Sequence, residues 1–279
     1  MKEQPVTFAS NGNTLAGTVH IAEGSEEGVI MLPGWAGTRY GPQRIMVESA
    51  RAMTEAGRTS LRFDFGGRGD STGDPASVTL DRMIKDVLAG VNWLEENQGV
   101  KKVSFLGLCA GANIGIGAAS LVPDKTDALI AWSILPFMEH KAEVHGKANK
   151  TRSKFLKHYL RKAFDPAAWK KLLKGEANVK GAMDTLTKDK EGDDEEKDRK
   201  TSKRDIMKEF EKFTGRTFMV FGTQDPEAAD SSSFFEAWLK DHGKAFETKW
   251  ITGAPHNFYT ADWTKKVIEM SVDFVNRDA

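Results

Sequence analysis

Short runs rich in β-branched and aromatic residues alternate along the chain with stretches whose apolar positions recur every three or four residues. That alternation predicts a mostly parallel sheet covered by helices. Val6–Ala9 and Thr14–Ala22, parted by Asn11-Gly12, read as an opening hairpin, and Val29–Leu32 as the first parallel strand, stopping at Pro33-Gly34. A helix over Arg44–Ala56 closes at Gly57, followed by a strand over Thr59–Phe63, a glycine-rich loop over Gly66–Gly73 and a helix over Asp81–Asn97. The strand Val103–Leu106 runs into Gly107-Leu108-Cys109-Ala110-Gly111 and the small-residue helix Ala112–Leu121, and Ala128–Leu135 is again a strand. The alternation resumes with strand Arg216–Phe221, helix Ser232–His242, strand Phe246–Ile251 and helix Asp262–Asn276.

Residues 136–205 interrupt this order, so the expected organisation is a core of residues 1–135 and 206–279 with a helical cap inserted at 136–205. The cap is placed over the sheet's carboxyl edge, where open α/β folds take their ligands. Phe155, Leu156, Tyr159, Leu160, Ala163 and Phe164 share one helical face; Asp165–Lys174 reads as a second helix with Asp165 as N-cap, Pro166 in the first turn and Gly175 as stop. Lys188–Arg204 holds seven acidic and seven basic residues and nothing aliphatic or aromatic, the composition of a solvated, flexible tract. Lys147–Lys174 carries ten Lys or Arg and a single acid, Asp165: either a solvated face or an attractor for an anionic substrate, an acidic partner or a membrane surface.

With 279 residues, 40 basic side chains balance 40 acidic ones, leaving no global field to hold a nucleic-acid backbone. Met1–Ser10 has no apolar run of signal-peptide length and no later stretch reaches membrane-span length, so the expectation is a cytoplasmic protein without integral membrane contact. Cys109 is the single cysteine, which excludes an intramolecular disulfide and a thiolate metal cluster from this chain alone. Neither a P-loop nor His-Glu-x-x-His occurs, Gly67-Arg68-Gly69 lacks the third glycine at dinucleotide spacing, and Asp193–Glu196 lacks calcium-loop spacing.

The most specific chemistry is at Gly107-Leu108-Cys109-Ala110-Gly111. A nucleophile with glycines two before and two after it, between a strand and a helix, fits a turn too sharp for larger neighbours and lifts its side chain above the sheet. Such a thiol sits at a helix N-terminus, where the helix dipole favours thiolate. It needs a base, and the base an orienting acid. Asp225 follows the strand ending at Phe221 and His256 follows the strand ending at Ile251, the chain order this architecture requires; His20, His140, His145, His158 and His242 fall in the hairpin, the insertion or a helix. Donors to a developing oxyanion are expected from the backbone N–H of Ala110 and, in the loop Pro33-Gly34-Trp35-Ala36-Gly37, that of Trp35.

Taken together, Leu32-Pro33-Gly34-Trp35, the turn Arg62-Phe63-Asp64-Phe65-Gly66-Gly67-Arg68-Gly69-Asp70-Ser71, the Cys109 elbow, Asp225 and His256 make the chain resemble the α/β-hydrolases nearly end to end. The Gly-Leu-Cys elbow and the segments His158-Tyr159-Leu160-Arg161 and Trp169–Gly175 resemble hydrolases associated with bacterial exosortase systems. The resemblance implies a Cys-His-Asp triad acting on a small-molecule acyl substrate without cofactor. The expected activity is hydrolysis of an ester or thioester through an S-acyl enzyme; acyl transfer to another acceptor and a non-catalytic binding module on the same fold are the alternatives. Pro33 stands where the family commonly has histidine, which leaves backbone donation intact.

Overall fold

The computed structural model describes residues 2–138 and 198–277. Among them the elements run β1 (Lys2–Ser10), β2 (Asn13–Ile21), β3 (Glu27–Leu32), α1 (Ile45–Glu55), β4 (Thr59–Phe63), α2 (Leu80–Gln98), β5 (Lys102–Leu108), α3 (Ala110–Ala119), β6 (Thr126–Trp132), α4 (Ile206–Phe210), β7 (Arg216–Gly222), α5 (Ala228–Asp241), β8 (Phe246–Ile251) and α6 (Ala261–Asn276). The helices expected over 155–164 and 165–174, the basic stretch 147–174 and the charged tract up to residue 197 lie outside the described residues.

The strands form one sheet in the order β1-β2-β4-β3-β5-β6-β7-β8. It is parallel from β4 to β8, with β2 antiparallel to β4 and β1 antiparallel to β2. From β3 the chain winds to β4 on one side and then to β5 on the other. That reversal opens a crevice at the carboxyl ends of β3 and β5, the place where open α/β sheets bind.

Local chemistry sets the elements. Asn11 (φ 51°) and Gly12 (φ 78°) both adopt positive φ, the two-residue turn whose twist matches a hairpin. The Thr79 hydroxyl accepts from the Arg82 amide at 3.2 Å to open α2, and Gly99 closes that helix in the left-handed region. Val29, Ile30, Met31 and Leu32 are fully buried, as a strand covered on both faces must be. On one face Ile45, Met53, Trp132, Phe218, Val267 and Phe274 bring α1 and α6 onto the sheet.

Most boundaries differ from expectation by one or two residues and β1 begins at Lys2 rather than Val6; three differences bear on the site. β6 ends at Trp132 rather than Leu135, because Ser133 turns into the left-handed region (φ 46°) and sends its amide to the Val220 carbonyl at 2.9 Å. α3 starts at Ala110 rather than Ala112, winding directly off Cys109. α5 starts at Ala228 rather than Ser232: the Asp225 carbonyl accepts from Ala228 N (3.2 Å) and its carboxylate from Glu227 N (3.1 Å), so the first turn forms around that side chain.

The chain divides into two units, Met1–Pro136 with Ser202–Ala279, and Phe137–Thr201. Within the first, the last residues of the charged tract are held by polar contacts instead of apolar burial. Ser202 Oγ donates to Asp81 at 2.5 Å, Lys203 N to the other Asp81 oxygen at 3.1 Å, and Arg204 bonds Ser120 Oγ at 2.9 Å while pairing with Glu209. Among the described residues no helix is long and apolar enough to cross a membrane.

Candidate active site

Cys109 sits between the end of β5 and the first residue of α3 with φ 55° and ψ −123°, its amide donating to the Trp132 carbonyl at 2.8 Å. A side chain with a Cβ is strained there by about 1–3 kcal/mol, held by the surrounding structure. The flanking glycines are obligatory. A Cβ on Gly107 would lie 2.3 Å from the Ala112 nitrogen, and one on Gly111 would lie 2.1 Å from the Leu32 carbonyl oxygen. The turn therefore presses α3 against the end of β3.

The loop after β3 lies against this turn: a Cβ on Gly34 would stand 3.9 Å from the Cys109 Cβ and 3.7 Å from the Leu108 carbonyl oxygen. It folds tightly, Gly37 N donating to the Gly34 carbonyl at 2.8 Å, and carries the Trp35 amide. Ala110 opens α3, where a first-turn N–H has no partner within its own helix. Both expected oxyanion donors thus belong to segments that meet at Cys109.

Sequence reasoning missed the clamp on this loop. Arg39 N donates to Asp64 Oδ1 at 2.6 Å, and the Arg39 guanidinium pairs with Asp64 and, at 2.6 Å, with Asp70. The Asp70 amide donates to Asp64 at 3.0 Å, and Asp64 is completely buried. A carboxylate set between Phe63 and Phe65 needs a cation, which was the available signal.

Asp225 and His256 come from two loops fastened together. Gln224 N donates to the Ala254 carbonyl at 2.9 Å and Gly253 N to Thr223 Oγ1 at 2.8 Å, while a Cβ on Gly222 would lie 2.1 Å from the Ala254 carbonyl oxygen. Phe258, fully buried with its ring edge-on to Trp132, anchors the far side of the His256 loop. In this frame His256 Nδ1 meets Asp225 Oδ2 at 2.7 Å.

Burial works against the charged imidazole, but the hydrogen bonds to Asp225 and Cys109 and the charges of both outweigh it, and His256 is pushed up to about 10. Burial likewise raises Asp225, yet the hydrogen bond and charge of His256 and the Glu227 amide hold its carboxyl below the usual range. The structure thus joins Asp225 to His256 by a hydrogen bond, and Cys109 is among the groups that raise the same imidazole.

A family model described as the alpha/beta hydrolase fold matches residues 28–168, a stretch holding Trp35, Cys109 and Ala110 but not Asp225 or His256. Palmitoyl-protein thioesterase ABHD10, mitochondrial, of Homo sapiens is 29% identical over 108 residues, 39% of this chain and 33% of that protein. Polyketide transferase grgF of a Penicillium species is 30% identical over 132 residues, 46% of this chain and 43% of its own. The matches thus span about a third to under half of these relatives' length. In structure, the mouse α/β-hydrolase domain-containing protein 10 superposes with a TM-score of 0.63 at 15% identity, covering 99% of this chain and 100% of that one. A Pyrococcus furiosus esterase gives 0.67 at 19% identity over 99% and 92% of the two chains. By its family match and its fold, this chain belongs to the alpha/beta hydrolase fold family.

Proposed function

We propose that the chain hydrolyses an ester or thioester, with Cys109 as nucleophile, His256 as general base and acid, and Asp225 holding the imidazole tautomer. The observation that carries this reading is the 2.7 Å hydrogen bond of Asp225 to His256 Nδ1, which leaves Nε2 for the thiol held in the strained turn between β5 and α3. With His256 raised to about 10, the thiol's proton already rests on the ring when Cys109 Sγ attacks the acyl carbon. The carbonyl oxygen gathers negative charge beneath the Ala110 and Trp35 amides, and the leaving alcohol or thiol departs with the proton from His256. Water, deprotonated by His256, then attacks the S-acyl carbon and releases the acid, restoring the thiol. A binding module would have no use for the strained Cys109 backbone, which supports catalysis.

The named activity of the ABHD10 relatives supports a thioester as substrate. Acyl transfer is the second reading, favoured by the polyketide transferase relative: the same S-acyl intermediate serves if an alcohol or amine takes the place of water. In this proposal residues 136–205 form a cap over the site, its basic stretch draws acyl substrates that carry an anionic group, and the protein works in the cytoplasm. The Gly107-Leu108-Cys109 elbow supports a place among the exosortase-associated hydrolases. The test is turnover of matched oxoesters and thioesters, with and without added alcohol or amine, by wild type and Cys109→Ala. The expected result is turnover lost in the variant with the fold kept; a variant as active as wild type would overturn the assignment.

A further inference from the structure

β8 ends the sheet: β7 pairs with it on one side, and no strand among the described residues lies on the other. Pairing with β7 uses alternate residues. The Ala245 carbonyl accepts from Thr217 N at 2.9 Å and the Ile251 carbonyl from Thr223 N at 3.1 Å, so the odd-numbered positions face β7. The N–H and C=O groups of Phe246, Thr248 and Trp250 therefore point outward along the edge. Two large aromatics stand at this edge, Phe246 at 37% and Trp250 at 40% exposure. An edge of this kind is a template for another strand.

What distinguishes this edge is that it complements itself when reversed. We infer that β8 pairs antiparallel with β8 of a second copy of this chain, in the register that sets Thr248 opposite itself. Phe246 then faces Trp250, Glu247 faces Lys249, and two-fold symmetry repeats both pairs. Aromatic pairs, threonine pairs and opposite charges are the favourable cross-strand neighbours. Outward-facing positions meet outward-facing positions, so the ladder closes with about six backbone hydrogen bonds.

No neighbouring register does this. Sliding to the next permitted pairing in either direction sets Glu247 against Glu247 or Lys249 against Lys249, and like charges directly opposite are destabilising. Slipping by a single residue sets the outward N–H and C=O groups of one strand against residues whose own polar groups turn away to β7, so the ladder cannot form. Within one chain Glu247 already pairs with Lys249 at 2.9 Å and Arg277 at 2.7 Å, and the two-fold register sets each Lys249, the usual guard of an exposed edge, opposite the other copy's Glu247 as well. Beside the strand runs a groove of about 500 Å³ lined by Glu247, Lys249, Met270, Asp273 and Arg277, in which two carboxylates and two cations balance. The assembly continues one sheet across two copies and leaves the crevice at β3 and β5 open in each.

The test is sedimentation equilibrium of the full chain over the micromolar range, with near-UV circular dichroism to confirm folding. Wild type is expected to dimerise. Glu247→Lys and Lys249→Glu should each weaken the dimer about tenfold or more, since each places two like-charged pairs across the two-fold axis. Mixing the two variants should restore association, because an edge carrying two lysines then meets an edge carrying two glutamates. A wild type that stays monomeric, so that the edge is bare or serves some other partner, overturns the proposal; so does a dimer that ignores both substitutions, or a mixture that fails to associate.

Discussion

His20 is fully buried and His256 half-buried, and their surroundings drive the two imidazoles in opposite directions. At His256 a buried carboxylate and a thiol face the ring, and together they lift it to about 10 against the cost of burial. At His20, fully buried on β2, burial dominates and Arg62 adds to it, so the ring falls to about 4. Arg62 Nε donates to His20 Nε2 at 2.9 Å, which demands a neutral ring, and the nearest carboxylate, Glu3, stands 3.6 Å from a Nδ1 that has no hydrogen-bond partner. The lesson is that burial alone makes an inert histidine. A base is made where burial is combined with an opposite charge on one nitrogen and an exchangeable proton at the other.

The largest consequence is kinetic. His256→Ala should lower turnover by about 10²–10⁴-fold. Asp225→Asn should cost a comparable factor, because the imidazole would then hold the wrong tautomer. His20→Gln should leave the turnover number within about twofold, since that ring contacts no reacting atom. Steady-state assays on one ester substrate compare all three; a His20 variant as impaired as the His256 variant would erase the distinction.

Next is a stability effect that puts a carboxylate in the position of His20. Arg39→Met leaves Asp64 buried without its cation, at a cost of about 3–5 kcal/mol in urea unfolding. The same change should lower the turnover number, because the loop carrying Trp35 loses its anchor.

The two histidines should then part company with pH. His20 takes up its proton at 6.5 when unfolded but only at about 4 when folded, so the unfolded state binds more protons between those values. Wild-type stability therefore drops on acidification from pH 6.5 to 4, by on the order of 3 kcal/mol more than in His20→Gln. For His256 the sign reverses. Its contribution is complete below 6.5 and is lost as pH rises through about 10, so the gap between wild type and His256→Ala should narrow toward alkaline pH. Urea titrations across pH read both.

The smallest effect is Glu3→Gln. Removing a half-exposed carboxylate that mildly favours the charged ring should move the His20 titration lower still, with a stability change of under about 1 kcal/mol, read by NMR titration of the ring.

These contrasts also show what a sequence can display. The Cys109 turn was legible because its constraints are local: Gly107 and Gly111 touch backbone within a few residues or at the adjoining strand end, and only glycine fits. Thr59–Phe63 and Phe246–Ile251 were legible to the residue, since turn signals flank continuous strand-forming runs. Asp225 and His256 could be named by chain order, but their 2.7 Å contact depends on loops fastened through Gly222 and Ala254. The Arg39–Asp64 clamp and the His20–Arg62 contact join residues 25 and 42 positions apart, and no periodicity announces such pairs. His20 sits in the opening hairpin, and its packing against α1, where Thr54 Oγ1 donates to the His20 carbonyl at 3.5 Å, joins residues 34 positions apart.

The central claim, that Cys109 carries the acyl group, is tested most directly by intact-mass spectrometry of the protein quenched in acid during turnover of a thioester, followed by peptide mapping. The account predicts one acyl mass on the peptide containing Cys109, accumulating in His256→Ala only slowly and absent in Cys109→Ala. An acyl group mapped to another residue, or equal acylation of Cys109→Ala, would contradict it.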